Sequence, residues 1–446
     1  MSIEDRGPDE PDGSARAVVA DATCLACGCL CDDIVLTVAG GRIIAAENAC
    51  EAGRAWFLGD HGRGDRPVAA IQGRPVAAEE AIDRAAAILS RARAPIILGL
   101  TRTTIEAQAA AVAIADRLGA AIDPGHSADA IRRILAIQRI GQVSAMLGEV
   151  RNRADVVVFW GVDPITTHPR HWERYSVEPV GRFVPEGRRG RTVLVADAHR
   201  TATAERADGF LPIEPDRQFE VLWTLRALVK GVPLDPERVR RATGFEIGPL
   251  RDWADRLARA RYGAFFFGAE LGRARGGSAS VEAALALVRD LNAISRFVAL
   301  TLGGPGNPSG AEAVLTWQAG APLAVDFGRG YPRFLPVEAN ATILLARGQV
   351  DAALILADDP APGRLSPAAQ EHLRRIPTVV IAPDATTRPA TVALSSATPG
   401  IHTAGTVIRS DGVSLPLRPA LAIDLPTDRE WLDMIRGRLK TPGGRT

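Results

Sequence analysis

The residues with the clearest chemistry are five cysteines packed into Cys24-Leu25-Ala26-Cys27-Gly28-Cys29-Leu30-Cys31 and Cys50. No cysteine follows in the rest of the chain. The spacing is C-x2-C-x3-C, then a gap of 18 residues and a further Cys, so Cys24, Cys27, Cys31 and Cys50 can converge on one centre. Cys29 is the odd thiol, and Gly28 permits the tight backbone such a loop needs. Four thiolates suit a 4Fe–4S cluster or a tetrahedral zinc ion. Zinc sites usually pair one C-x2-C with a second, or with two His. This gap offers neither, so the three-plus-one pattern favours iron–sulfur. Reduced thiols that hold no metal are the plain alternative. Asp32 and Asp33 follow at once and read as solvated turn residues rather than ligands.

The next dense stretch is Trp160-Gly161-Val162-Asp163-Pro164-Ile165-Thr166-Thr167-His168-Pro169-Arg170-His171-Trp172-Glu173-Arg174-Tyr175. It follows an apolar run, and its Arg and His side chains suit a phosphate or a pterin. Gly303 to Gly310 and Asp326 to Phe334 are further glycine-rich or charged loops, weak evidence alone. A phosphate-binding P-loop, a G-x-S-x-G serine elbow and an H-E-x-x-H zinc helix are all missing.

The elements that must position these residues alternate. Helices are expected over 77–93, 104–118, 131–147, 218–229 and 280–292, from apolar residues at helical spacing. Apolar strands are expected over 94–100, 154–161, 191–197, 264–268, 352–360 and 377–383. This alternation predicts a doubly wound α/β fold with parallel strands, whose ligands bind at the strands' carboxyl ends. A hairpin over 32–44 would carry the Cys loop, and 391–419 reads as irregular β structure. Residues 1–16 are expected to be a flexible tail and 17–65 a small Cys-rich hairpin module. The α/β region spans 66–420, as two intertwined domains, and 421–446 forms a C-terminal segment. With 24% charged residues and a net charge of +1, the chain offers no large basic surface for nucleic acid or lipid. Its start lacks the pattern of a signal peptide and no apolar run has membrane-spanning length, so a cytoplasmic location is expected.

Several stretches together resemble the B subunit of formylmethanofuran dehydrogenase. They are the Cys loop, Leu147 to Asp155, Trp160 to Tyr175, Val314 to Gln318 with Asp326 to Arg333, and Pro399 to Ile401 through Asp411 to Val413. They run in the same order from about Cys24 to Pro419. The resemblance implies a fold of the molybdopterin oxidoreductase type, an iron–sulfur cluster in the Cys loop, and a tungsten or molybdenum pterin whose metal takes a cysteine thiolate. It places His168, Arg170 and His171 on a pterin-side loop.

That thiolate is where the chain departs. In the family it precedes a helix leading to L-x-x-Q-x-x-G, matched here by Leu135, Gln138 and Gly141. Counting back reaches Asp129 or, with a small shift, Gly125 beside His126 and Ser127. None is a soft thiolate; Asp129, Ser127 or Asp123 would be the substitutes. The departure resembles the bacterial branch, the formyltransferase/hydrolase complex. There the B-like subunit is implied to be a non-redox scaffold, while an amidohydrolase-type subunit and a formyltransferase subunit carry the chemistry, next to a further scaffold subunit. On that reading the chain has no catalytic residue and no tungsten or molybdenum pterin, with His168, Arg170 and His171 a remnant. The alternative is an active oxidoreductase with a non-Cys metal ligand.

Overall fold

The computed structural model describes residues 16–273, 276–356 and 365–440. The expected tail before Arg16, the end of the expected strand over 352–360, and the last residues of the C-terminal segment lie outside them.

Two sheets organise the chain. The first has five strands, ordered Gly209–Pro212, Thr192–Asp197, Val156–Trp160, Gly263–Phe267 and Phe297–Thr301, every neighbour parallel. Its central strands, Val156–Trp160 and Gly263–Phe267, are buried at every residue, as expected where helices cover both faces of a parallel sheet. Helices Gln218–Val229, Ile247–Ala258 and Gly277–Leu291 pack on one face. Leu147–Arg153 and the turn around Trp172 cover the other.

The second sheet has nine strands. Its parallel heart runs Ala121–Asp123, Pro95–Gly99, Ala352–Leu356, Thr378–Ala382 and Val392–Ser395. Antiparallel strands flank it, Val325–Asp326 with Arg333–Phe334 at one edge and Ala69–Ile71 with Arg74–Pro75 at the other. Helix Ala78–Arg91 buries Ala81, Ile82, Ala85, Ala86, Ile88 and Leu89 against it, the stripe that helical periodicity dictates. Helices Ile105–Leu118, Pro308–Ala319 and Asp428–Arg438 share that face. The chain enters this sheet, leaves to build the whole five-stranded sheet, and returns to finish it.

In each sheet the winding reverses at one point. It lies between Val156–Trp160 and Gly263–Phe267 in the first, and between Pro95–Gly99 and Ala352–Leu356 in the second. Crevices at such points bind ligands in folds of this kind.

The N-terminal part is a separate antiparallel sheet of Ala17–Ala22, Ile34–Ala39 and Arg42–Glu47. The Cys loop joins its first two strands. The expected helix over 131–147 is replaced by two shorter ones. Ser127–Ile140 starts earlier and stops at Gly141, which has a positive φ of 81°, and Leu147–Arg153 follows. Among the described residues no helix is long and apolar enough to cross a membrane.

Candidate functional site

The Cys loop closes on itself through Cys24 N–H donating to Cys31 O, 2.9 Å. Cys50 caps helix Glu51–Phe57 and brings the last thiol back to the loop. A Cβ built on Gly53 would stand 3.3 Å from Cys24 Sγ and 3.7 Å from Cys50 Sγ, so a glycine there leaves these sulfurs room. Cys29 hydrogen-bonds both Cys27 and Cys31. The bond from Cys29 lowers the Cys27 thiol to about 7. Cys31 is lowered by the same partner, with Arg170 and Arg174 adding to it. Burial pushes Cys24 well up. The five sulfurs thus share one largely buried pocket. Among the described residues no three His, Cys, Asp or Glu side chains are placed to hold a single metal ion.

Asp32 and Asp33 are not free turn residues. Arg170 donates a fork to Asp33, Nη1 to Oδ1 at 2.6 Å and Nη2 to Oδ2 at 2.8 Å. Arg174 Nη2 donates to Asp32 Oδ1 at 2.5 Å. Both acids were misread from the sequence because their partners lie about 140 residues away in the chain.

Beside this loop lies a cavity of about 1070 Å³, just above the usual range of about 300–1,000 Å³ for small-molecule sites. It opens at the carboxyl ends of both sheets and is walled by Gly125, Gly161, Gly268 and Gly303, with Cys27 and Gly28 on the side of the Cys loop. A Cβ on Gly28 would collide with Gly303 O and stand 2.6 Å from His168 Nε2, so only glycine lets the loop sit so close.

The structure separates the three residues expected on a pterin-side loop. His168 reaches the cavity. Its Nε2 donates to Gly303 O at 2.8 Å and its Nδ1 lies 2.9 Å from Thr167 Oγ1, and burial lowers its pKa. Arg170 turns away to Asp33 and Glu173. His171 is 1% exposed and sits edge-on to Phe266 at 4.7 Å. Burial lowers it to about 3 and keeps it neutral. Of the three dense loops, Trp160 to Tyr175 and Gly303 to Gly310 meet the cavity. Asp326 to Phe334 instead forms an edge hairpin closed by Arg333 and Asp326.

The substitutes for a metal thiolate are engaged. Asp123 Oδ1 accepts from Gly125 N–H and Ser127 Oγ, and Oδ2 from Ala341 N–H. Asp129 takes a fork from Arg273, 2.9 and 2.7 Å. Sequence reading missed His126. Its Nε2 donates to Glu312 Oε1 at 3.0 Å, while its Nδ1 is buried with no partner; the residue itself lines the cavity. Burial alone would raise the Glu312 carboxyl, yet Arg133 and His126 pull it down to about 2. The signal in sequence was only the position of His126 beside Gly125. The cavity therefore has room for a large cofactor, with His126 among its lining residues.

Comparison with known proteins follows the same lines. No family model matches the chain. It is 36% identical over 435 residues to the B subunit of the tungsten-containing formylmethanofuran dehydrogenase 2 of Methanocaldococcus jannaschii, covering 95% of this chain and 99% of the relative. The corresponding subunit of Methanococcus maripaludis is 34% identical over 412 residues, 91% and 94% of the two chains. The B subunit of the formyltransferase/hydrolase complex Fhc of Methylorubrum extorquens is 29% identical over 296 residues, 66% and 75%. The crystal structure of that complex, FhcABCD with methylofuran, contains a chain superposing with a TM-score of 0.70 at 26% identity, over 83% of this chain and 98% of that one. Acetylene hydratase from Pelobacter acetylenicus shares the fold alone, with a TM-score of 0.66 at 12% identity over 94% and 69%. With two relatives above a third identical over nearly their whole length, the chain belongs to the family of formylmethanofuran dehydrogenase B subunits.

Proposed function

We propose that the chain is a non-redox structural subunit of a formyltransferase/hydrolase complex in one-carbon metabolism. That complex converts formyl-tetrahydromethanopterin to formate through a furan carrier. Bond breaking belongs to an amidohydrolase-type subunit and a formyltransferase subunit, next to a further scaffold subunit. The observation that carries this reading is the missing thiolate. No cysteine follows Cys50, and the Asp123, Ser127 and Asp129 groups are all held by protein partners. In the same reading Cys24, Cys27, Cys31 and Cys50 hold a 4Fe–4S cluster whose role is structural, since metal binding stabilises the folded chain. The thiol loop supports this through its convergent sulfurs and the space left at Gly53.

A second reading, an active tungsten or molybdenum pterin enzyme, is favoured by the large cavity and by His126 Nδ1. Elemental analysis of the anaerobically purified complex separates the two. The scaffold reading expects iron without tungsten or molybdenum, no fluorescent pterin oxidation product, and undiminished formyl transfer and hydrolysis. Stoichiometric tungsten with pterin would overturn it.

A further inference from the structure

The stretches that carry the family resemblance are far apart in sequence, and four of them meet at one charged network beside Cys31. Asp32 and Asp33 come from the Cys loop, Arg170 and Arg174 from the loop after Trp160. From the hairpin of Gly405–Ile408 and Ser414–Leu417, Arg409 forks onto Asp411 at 2.8 and 2.9 Å. Arg409 Nη1 donates to Tyr175 OH at 3.2 Å and lies 3.9 Å from Asp32. Asp411 is fully buried, and its Oδ2 also accepts the Leu147 N–H at 2.8 Å, which starts helix Leu147–Arg153.

We infer that Arg170, Arg174 and Arg409 are positioning residues that hold the Cys29–Asp33 arm in the shape an iron–sulfur cluster needs. The inference rests on the cluster reading above, and goes beyond it by assigning this work to residues outside the Cys motif. Three physical points carry it. A guanidinium fork on a carboxylate fixes direction as well as distance, which a lone charge does not. The guanidinium groups are largely buried, Arg170 at 13% and Arg409 at 8% exposed, while Asp32 and Asp33 keep about a third of their surface in solvent, so screening reduces the pairs only in part. The network also ties one short loop both to the stretch carrying Arg170 and Arg174 and to the hairpin carrying Arg409, so the arm cannot swing without breaking several charged bonds together. Partners of this kind, one step behind the ligands, set both the retention and the electronic character of a metal centre.

The charges also give the test a direction. A cation near a cluster favours the reduced form and an anion disfavours it. Arg170→Gln should lower the cluster's midpoint potential, while Asp33→Asn should raise it. A merely structural role would not move the two in opposite senses. Arg170→Lys keeps the charge and loses the fork. It should keep the potential while releasing iron to a chelator about tenfold faster, the size usual for such outer partners. The measurements are iron content, chelator-release rate and a dye-mediated potentiometric titration of the anaerobic full-length chain in its complex. Should Arg170→Gln fail to fold, Asp33→Asn and Arg170→Lys still decide the matter. Variants with wild-type potential and release rate would overturn the inference alone. A wild-type complex without iron would instead remove the cluster reading on which it rests.

Discussion

The thiol loop and the cavity wall touch at Gly28 and His168, and they are secured differently. In the loop the acids near the sulfurs are answered by arginines, Asp33 by Arg170 and Asp32 by Arg174, although Arg174 Nη1 is itself buried without a hydrogen bond. At the wall, Glu312 is gripped by Arg133 and His126, but the far nitrogen of that histidine faces no partner. A buried polar atom without a partner costs about 1–3 kcal/mol. Both regions thus hold a buried nitrogen without a hydrogen bond, but in the loop it belongs to an arginine already paired with acids, whereas at the wall it is the far side of a histidine ring. On the scaffold reading, the thiol arm keeps its charged partners while the neighbouring cavity has not been refilled by side chains.

The largest effect that would sharpen this contrast is at Glu312. Its carboxyl is held at about 2 in the folded chain, below the ordinary value of about 4.3. The stability this supplies is present above the ordinary value and is lost as pH falls through the folded one. It amounts to roughly 3 kcal/mol at pH 7. Glu312→Gln should lower the denaturation midpoint accordingly at pH 7, and the deficit should shrink as pH falls from about 5 towards about 3. A deficit independent of pH would show that the wall is not held by this charge.

Gly28→Ala comes next, because it wedges the two regions apart. A Cβ that collides with Gly303 O must push either the loop or the glycine-rich strand of the wall. Overpacking of this sort costs about 1–3 kcal/mol. Thermal melts should show the loss, and iron release should quicken. A variant as stable as wild type would mean that the regions do not press on one another.

The smallest effect is expected at His168. Its ring nitrogens are spent on Gly303 O and Thr167, so His168→Gln should change stability by about 1 kcal/mol or less. Formyl transfer and hydrolysis in the assembled complex should stay within about threefold. A drop of more than ~100-fold with the complex intact would show acid–base work at this position and end the scaffold reading.

How far the sequence revealed these regions follows from the reach of each interaction. The buried strands at Val156–Trp160 and Gly263–Phe267 were legible as apolar runs, and helices Ile105–Leu118 and Gln218–Val229 as periodic stripes. Both signals are local. The strand Phe297–Thr301 and helices Pro308–Ala319 and Asp428–Arg438 escaped notice, the last because it is rich in charge. The cysteine spacing announced a site because its residues are near neighbours. Arg170 did not announce its pairing with Asp33, nor His126 its pairing with Glu312, because those bonds join residues 137 and 186 positions apart. The same distance hid the fate of His171, whose burial is decided by Phe159 and Phe266 on two different strands.

The order in which the chain visits its sheets has a consequence during synthesis. Strand Pro95–Gly99 lies inside the nine-stranded sheet and pairs on one side with its central strand Ala352–Leu356, Pro95 opposite Ala352, 257 residues later (352 − 95). The five-stranded sheet draws only on residues 156–301 and can close while the ribosome is still working. At about 5–20 residues per second, the edge of Pro95–Gly99 waits roughly 13–50 seconds for its partner. That edge is entirely apolar apart from its backbone, which leaves it open to mispairing with another nascent copy. Slow translation between the two strands should therefore favour aggregates that contain Pro95–Gly99, and a chaperone bound to that segment should suppress them.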